Sequence, residues 1–214
     1  MSNQESPESV MAKLITTVNF AATKHINQRR KNKEASPYIN HPIGVAYILI
    51  NEGNVRDLEV LQGALLHDTV EDTATSFEEL ESNFGTNVRK IVEQVTDDKS
   101  LSKDQRKLAQ IEHAPHITTQ AKLVKMADKL YNLRDLASNP PPSWNLVRVQ
   151  GYFVWAKKVT DGLRGTNAGL EKALDEVFAS SVQMEGGRHP VIPQGVDLSK
   201  FFDDYIKTMA QSKD

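Results

Sequence analysis

Residues 64–73 read ALLHDTVEDT, and this stretch brings together features that point in two directions. An apolar run ends in His67 and Asp68, and Glu71 and Asp72 follow three and four residues after Asp68. Such a cluster is either a charged helix end that points into solvent or a group of side chains held together by a cation. The rest of the chain decides between these two interpretations.

The composition is that of an ordinary globular protein. Its 214 residues are enough for one well-buried domain and few for two. With 25% charged residues and a formal net charge of −2, the chain lacks the basic balance typical of nucleic-acid-binding proteins, so no nucleic-acid partner is expected. No apolar run approaches the ~18 residues of a membrane span, and the N-terminus does not resemble a secretory signal. The absence of cysteine excludes disulfides and thiolate metal sites, and it fits a cytoplasmic location.

The hydrophobic pattern is helical through most of the chain. Between Val10 and Ile26 apolar residues recur at helical spacing, and Ser6 and Pro7 suit the N-cap and the first position of that helix. Further helical stretches follow at residues 41–53, 76–85, 86–98, 119–136, 143–163 and 168–182. This pattern predicts an all-α globule of roughly eight to ten helices, without a β-hairpin signal.

The remaining segments suggest how the chain is divided. Residues 28–40 and 98–118 are polar and are expected to be loops, the second with a short helix. Residues 185–194, EGGRHPVIPQ, have the composition of a linker. Five apolar side chains then share one helical face, which predicts a docking helix: Phe201, Phe202, Tyr205, Ile206 and Met209. We therefore expect one domain at residues 1–184 and a C-terminal linker and helix at residues 185–214.

Two further residues, His41 and Asp128, stand next to apolar residues as His67 and Asp68 do. His41 begins an apolar helix, and Asp128 lies among alanine, leucine, valine and methionine residues. Carboxylates are seldom buried without a partner, because removing a charge from water is costly. A divalent cation would supply the positive charge, and two imidazoles with two carboxylates suit Mn²⁺, Fe²⁺ or Zn²⁺. The alternative is a salt bridge to one of the nearby basic residues, Lys125, Lys129 or Arg134.

The order of these four residues, H…HD…D, resembles the pattern of the HD phosphohydrolase superfamily. Five longer strings carry a more specific likeness: YINHPIGVA, ALLHDTVEDT, VTDDK, KLVKMADKLYNLRDL and RVQGYFVWA. Together they resemble the hydrolase domain of the Rel/SpoT family, and most closely its small, stand-alone metazoan members. The likeness covers about residues 10–180.

This resemblance implies an HD-domain phosphohydrolase with one Mn²⁺ ion per chain, with Zn²⁺ or Fe²⁺ as alternatives. The implied reaction releases pyrophosphate from the ribose 3′ position of guanosine tetra- or pentaphosphate. The metazoan members are also linked to removal of the 2′-phosphate of NADPH, and the residues alone do not choose between these substrates. A catalytically silent nucleotide-binding module is the alternative from another class. The partner is a small nucleotide in each case, and the oligomeric state is left open, with a homodimer as one option.

The resemblance also assigns the reacting groups. The implied metal ligands are His41, His67, Asp68 and Asp128. Glu71 and Asp72 match the family's catalytic acidic pair, which orients the attacking water or moves a proton. The alternative for this pair is two solvated charges at a helix end.

Five positions match family residues that contact the nucleotide: Arg30, Lys31, Asn132, Arg148 and Tyr152. Lys103, in the sequence DKSLSK, is a further basic candidate of the same kind as Arg30 and Lys31. Arg30 and Lys31 lie in a polar loop, where they can stack on the base and hold phosphate or simply remain solvated. Asn132 matches the ribose contact and shares a helical face with Asp128. For Tyr152, packing in the core beside Trp155 is the alternative.

Overall fold

The computed structural model describes residues 7–32 and 34–211. These residues form α-helices, one 3₁₀ turn and one two-stranded antiparallel sheet. The elements in chain order are α1 (Pro7–Lys24), α2 (Asn40–Asn51), α3 (Leu58–Leu66), α4 (Thr69–Asp72), α5 (Phe77–Phe84), α6 (Thr86–Val95), α7 (Lys103–His113), the 3₁₀ turn (Ala114–His116), α8 (Thr119–Ser138), α9 (Leu146–Asp161), α10 (Ala168–Phe178), β1 (Ser181–Met184), β2 (Gly187–Pro190) and α11 (Leu198–Gln211).

The all-α fold class is confirmed. Within the described ranges, ten helices have eight or more residues and α4 has four, close to the predicted number. The cap predicted at Ser6 lies outside the described residues, and α1 includes Pro7 as predicted. None of the helices in the described part of the chain has the length and apolar character that a membrane crossing needs.

A β-hairpin follows α10, so the prediction that no hairpin is present is wrong. β1 and β2 pair antiparallel, and residues 185–194, predicted to be a linker, contain β2. The turn uses Gly186 and Gly187, whose φ angles of 89° and 124° are unfavourable for other residues. Each strand has only four residues, which is too short for the alternation of a strand to stand out in the sequence. The hairpin crosses the boundary predicted at residue 184, and the division into two parts remains a prediction.

α8 is the central helix of the fold. It packs against α2, α3, α6, α9 and α10, and its apolar residues are buried around the whole circumference. Val124, Met126, Leu130 and Leu133 are all 0% exposed. Asp128 lies in the middle of this helix, so a carboxylate is held at a fixed position among closely packed side chains.

His67 and Asp68 lie at a break between two helices. α3 ends at Leu66, and α4 begins at Thr69. The Thr69 hydroxyl donates to the backbone oxygen of Leu66 at 2.7 Å, and the backbone N–H of Asp72 donates to the backbone oxygen of Asp68 at 2.9 Å. The helix is therefore interrupted at His67 and Asp68, and one helical turn separates Asp68 from Asp72.

The C-terminal helix α11 docks on the rest of the fold, as its apolar face predicts. It packs against α7 and α9, and its side chains of Phe202, Tyr205 and Met209 are buried. Val182 in β1 and Val191 after β2 are also buried. All five side chains belong to the same hydrophobic core as α8.

Candidate metal centre and active site

Side chains from three parts of the fold converge on one buried point. His41 lies in the first turn of α2, His67 and Asp68 lie at the α3–α4 junction, and Asp128 lies on α8. His41 Nε2 is 3.1 Å from His67 Nε2, 3.4 Å from Asp68 Oδ2 and 3.2 Å from Asp128 Oδ1. His67 Nε2 is 2.9 Å and 3.6 Å from the same two oxygens. The structure thus brings the four predicted ligands together, and His41, His67 and Asp128 form a group able to bind a metal ion.

The donor atoms fit a divalent cation. His67 Nδ1 lies 2.8 Å from the backbone oxygen of Ala64, so in a neutral ring Nδ1 carries the proton and Nε2 carries a lone pair. That lone pair faces His41 Nε2 and two carboxylate oxygens, an arrangement that requires positive charge at its centre. Metal–ligand bonds of ~2.0–2.2 Å place neighbouring ligand atoms roughly 3.0–3.5 Å apart. The separations of 2.9–3.6 Å around the two histidines agree with such a shell.

The charges of the group support one another despite burial. Burial raises the pKa of Asp68, but the His67 charge and the contact with His41 hold that pKa well below its usual value. Burial acts the same way on Asp128, whose pKa is held well below its usual value by Lys129 and the two histidines. Burial lowers the pKa of His67, but the two carboxylates raise it well above its usual value. Both carboxylates therefore stay ionised and stabilise positive charge between them.

The salt-bridge alternative accounts for only part of the Asp128 contacts. Lys129 Nζ lies 3.1 Å from Asp128 Oδ2, while Oδ1 faces the histidines and accepts a hydrogen bond from Asn132 Nδ2 at 2.6 Å. Arg134 pairs with Glu52 instead. The carboxylate therefore keeps one oxygen directed at the histidine pair.

Tyr38 also contributes to the site, and it was not among the residues predicted from the sequence. Its hydroxyl donates to Asp68 Oδ2 at 2.6 Å. Burial, followed by the charge of Asp68, raises the pKa of Tyr38 above its usual value, so the hydroxyl keeps its proton. The signal that could have found it is its place in YINHPIGVA, three residues before His41.

The structure separates the two residues of the predicted acidic pair. Glu71 lines the cavity around the histidine–aspartate group, and its Oε2 accepts the backbone N–H of Asp97 at 3.1 Å. Burial, followed by the negative charge of Asp97, raises the pKa of Glu71 to about 7. Asp72 lines a neighbouring cavity, accepts from Gln28 Nε2 at 2.9 Å and lies 3.5 Å from Lys99 Nζ. Of the two residues, Glu71 is therefore the one that lines the cavity of the histidine–aspartate group.

Three adjoining cavities surround this point, and Tyr152 lines all of them. The metal cavity, of about 230 Å³, contains the histidine–aspartate group and Glu71. The loop cavity, of about 390 Å³, lies between residues 28–32 and α8. The cationic cavity, of about 280 Å³, lies among α7, α9 and α11. It carries five basic side chains: Lys31, Lys103, Arg106, Lys107 and Arg148.

The predicted nucleotide contacts are distributed over these cavities. Arg30 and Asn132 line both the metal and the loop cavity, and Arg30 donates to Asn132 Oδ1 and to Asp135 Oδ2 at 2.8 Å each. Lys103 and Arg148 line the cationic cavity, and Lys31 lines both this cavity and the loop cavity. Tyr152 also packs edge-on against Trp155, with ring centres 5.1 Å apart. This side chain therefore both packs against the core and lines the three cavities.

Two lysines of α8 are part of the metal cavity, although the sequence indicated them only as salt-bridge partners. Lys125 and Lys129 are buried and line its wall. Burial and the nearby Lys129 lower the pKa of Lys125 to about 8. Burial also lowers the pKa of Lys129, but Asp128 outweighs it and raises that pKa above its usual value.

Comparison with known proteins agrees with this geometry. A model of the HD domain family matches residues 17–157, a range that includes the four predicted ligand positions. The chain belongs to the HD domain family. The strands β1 and β2 and the helix α11 lie outside the matched range of this HD domain.

Several relatives that are similar to this chain have names that describe the hydrolysis of a guanosine nucleotide. The guanosine-3′,5′-bis(diphosphate) 3′-pyrophosphohydrolase MESH1 of Danio rerio is 63% identical over 170 residues, which are 79% of this chain and 94% of the relative. The Homo sapiens protein of the same name is 58% identical over 170 residues, covering 79% of this chain and 95% of the relative. The bifunctional (p)ppGpp synthase/hydrolase SpoT of Escherichia coli (strain K12) is 35% identical over 141 residues, 63% of this chain and 20% of the relative.

A solved structure supports the same assignment. It belongs to a metazoan ortholog of SpoT described as hydrolysing ppGpp, and it superposes with a TM-score of 0.77 at 52% identity, covering 83% of this chain and 97% of that one. The predicted resemblance to Rel/SpoT hydrolases is confirmed. The prediction that the chain is a metal-dependent phosphohydrolase is confirmed with it.

Proposed function

We propose that this chain is a Mn²⁺-dependent guanosine-3′,5′-bis(diphosphate) 3′-pyrophosphohydrolase. The observation that carries the proposal is a metal-binding group directly beside a cavity with five basic side chains. A nucleotide with phosphoryl groups at two positions needs one place where a phosphoryl group reacts and another where the remaining phosphates bind. The names of the relatives agree with such a substrate.

Four residues hold the metal ion in this proposal: His41, His67, Asp68 and Asp128. When bound, the ion would activate a water molecule and polarise the oxygens of the reacting phosphoryl group. Its mixed nitrogen and oxygen ligands suit Mn²⁺, with Zn²⁺ and Fe²⁺ as alternatives. Lys129 and Asn132 fix the orientation of the Asp128 carboxylate through contacts of 3.1 Å and 2.6 Å.

Glu71 moves the proton in this mechanism. The water oxygen bonds to the phosphorus next to the ribose 3′ oxygen, the bond between that phosphorus and the 3′ oxygen breaks, and pyrophosphate leaves. One proton of the water passes through Glu71 to the 3′ oxygen. A carboxyl with a pKa of about 7 can accept this proton and return it. Asp72 positions the loop of residues 28–32 through its contact with Gln28, and it also pairs with Lys99.

The nucleotide spans the three cavities. Asn132, between the metal and loop cavities, meets the ribose, and Arg30 and Lys31 border the base. Lys103 and Arg148 bind phosphates in the cationic cavity. Tyr152 lines all three cavities and forms the wall along which the substrate lies.

Removal of the 2′-phosphate of NADPH is the second candidate, and it uses the same groups. NADPH carries a phosphoester on one ribose and a separate pyrophosphate bridge, so the adjoining metal and cationic cavities suit both of its phosphorylated parts. The loop cavity, which is lined by Tyr38 and Trp144, offers an aromatic surface both to the guanine base of ppGpp and to the adenine base of NADPH. A catalytically silent nucleotide-binding module is the third candidate. The placement of Glu71 beside the ligand group favours an enzyme over such a module.

The deciding experiment is a panel of ppGpp, NADPH and simple nucleotides, each assayed with Mn²⁺, Zn²⁺ and Mg²⁺ and with the products identified. We expect pyrophosphate and GDP from ppGpp with Mn²⁺. A far higher kcat/KM for NADPH, with phosphate as product, would replace the first candidate by the second. Nucleotide binding without turnover of any compound would favour the silent module.

Predictions of the partner, the oligomeric state and the location belong to the same proposal. The partner is a small nucleotide, not a nucleic acid, and weak, salt-insensitive binding to oligonucleotides would agree with this. The oligomeric state is left open, with a homodimer as one option, and a cytoplasmic location remains a prediction. Sedimentation at several protein concentrations measures the first, and imaging of the tagged full chain measures the second.

A further inference from the structure

α11 lies across the two helices that carry the cationic cavity. It packs against α7, which carries Lys103, Arg106 and Lys107, and against α9, which carries Arg148. No residue of α7, a helix that the structure describes in full, is fully buried, so this helix has no buried face of its own in the core. Its contacts with α9 and α11 hold it in place. One of these contacts is a hydrogen bond of 2.9 Å from the indole N–H of Trp155 to the backbone oxygen of Lys107. α11 therefore helps to hold α7 beside α9.

The contact between α9 and α11 is closest at a glycine. A Cβ atom added at Gly151 would lie 2.1 Å from a ring carbon of Tyr205, so the tyrosine ring occupies the space of a side chain at that position. Tyr205 is 3% exposed and Met209 is 8% exposed, and both line the cationic cavity. Phe202, one turn earlier on α11, lies outside it, with its ring centre 4.8 Å from Lys158 Nζ.

Lys107 links α11 to the charge of this cavity. Its Nζ lies 3.5 Å from a ring centre of Trp155, 4.9 Å from that of Tyr152 and 5.5 Å from that of Tyr205. Removal of this amine from solvent, followed by the charge of Lys129, lowers the pKa of Lys107 well below its usual value. A phosphoryl group in the cavity would favour the charged form of this amine. The three aromatic rings hold the amine where such a group would enter.

We propose that α11 forms the outer wall of a phosphate-binding compartment beside the metal cavity, and that Tyr205 determines which phosphorylated substrates fit there. The compartment is the cationic cavity of about 280 Å³, and Glu71 and Asp97 border it on the side of the metal centre. Its occupant is a phosphoryl group of the substrate other than the one that reacts, so the inference rests on the proposed function. Because α11 lies outside the matched residues 17–157, this wall is an addition to the matched HD domain.

Intrinsic fluorescence measures the compartment directly, because both tryptophans of the chain, Trp144 and Trp155, line it. Inorganic pyrophosphate is titrated into the full chain in the presence of EDTA, which excludes binding through a metal ion. We expect Tyr205→Ala to weaken pyrophosphate binding about fivefold, the loss expected of one cation–π contact at a partly desolvated site. Phe202→Ala is the matched control, since it removes a buried ring of the same helix outside the cavity, and its Kd should equal that of the wild type.

Turnover identifies which phosphate occupies the compartment. Guanosine 5′-diphosphate 3′-diphosphate and guanosine 5′-monophosphate 3′-diphosphate share the reacting end and differ by one 5′-phosphate. If the 5′ end binds there, Tyr205→Ala changes the ratio of the two kcat/KM values by about fivefold. If the distal 3′-phosphate binds there, both values fall together. Either result supports the compartment, provided that Phe202→Ala leaves the values unchanged.

Identical behaviour of Tyr205→Ala and Phe202→Ala in both assays would overturn the inference. Thermal unfolding checks that the variants fold, and Tyr205→Leu, which keeps bulk but removes the aromatic ring, replaces Tyr205→Ala if the latter does not. A wild-type chain that hydrolyses neither guanosine substrate would refute the proposed function alone. The fluorescence titration would then still decide whether the compartment binds phosphate.

Discussion

The carboxyl group of Glu71 makes the stability of the metal-free protein depend on pH. Burial and the charge of Asp97 raise its pKa from 4.5 to about 7 in the folded state. Between these values the folded protein holds a proton that the unfolded chain has released. The contribution to stability is therefore fully present below about pH 4.5 and is lost as the pH rises through 7. The shift corresponds to on the order of 3 kcal/mol, an upper value because the side chain is partly exposed.

Glu71→Gln removes this titration and keeps the shape of the side chain. In EDTA we expect the variant to be more stable than the wild type near pH 8, by up to about 3 kcal/mol, and to match it near pH 4.5. Urea unfolding of both proteins across this pH range measures the difference. The exposed residue Glu112 supplies the control Glu112→Gln, whose stability should follow that of the wild type. Parallel stability curves for the wild type and Glu71→Gln would refute the assignment of a buried, proton-binding carboxyl at this position.

The metal centre, the cationic cavity and the α9–α11 contact each lead to a further expectation. His41→Ala removes one ligand atom and should weaken Mn²⁺ binding at least about 100-fold in calorimetric titrations, whereas exposed His116→Ala should not. Arg148→Ala should raise the KM for ppGpp about tenfold with a smaller change in kcat, because a charge-assisted hydrogen bond to phosphate is worth roughly 1.5–3 kcal/mol. An unchanged KM would contradict a role of Arg148 in phosphate binding. Gly151→Ala places a Cβ atom within 2.1 Å of the Tyr205 ring, and it should lower the free energy of unfolding by about 1–3 kcal/mol. An unchanged Tm would argue against a tight contact between α9 and α11.

The candidate metal ligands could be named from the sequence because they lie in unfavourable places for unpaired charge and because their order resembles that of the HD phosphohydrolases. The unfavourable places alone left a salt bridge as the alternative. Asp128 stands in an apolar helix, and His67 and Asp68 end an apolar run. Helical periodicity likewise predicted α2, α8 and α9, which carry most of the site. These signals are local, so a single sequence contains them.

The other features of the candidate site depend on tertiary contacts, which no local sequence pattern contains. Which of Glu71 and Asp72 meets the metal cavity depends on how α4 packs: Glu71 lines the metal cavity, and Asp72 lines the loop cavity. Tyr38 and Asp97 join the site through hydrogen bonds to residues distant in sequence. The apolar face of α11 predicted that this helix docks, but the sequence does not say that Tyr205 meets the cationic cavity.

The central claim is that the histidine–aspartate group catalyses hydrolysis at the ribose 3′ position. Its most direct test is the release of pyrophosphate from ppGpp with Mn²⁺, compared between the wild type and Asp68→Ala. We predict that the wild type yields equal amounts of pyrophosphate and GDP, and that Asp68→Ala lowers the rate at least about 100-fold, because the ion loses a ligand. Pyrophosphate release by Asp68→Ala at the wild-type rate would contradict the account.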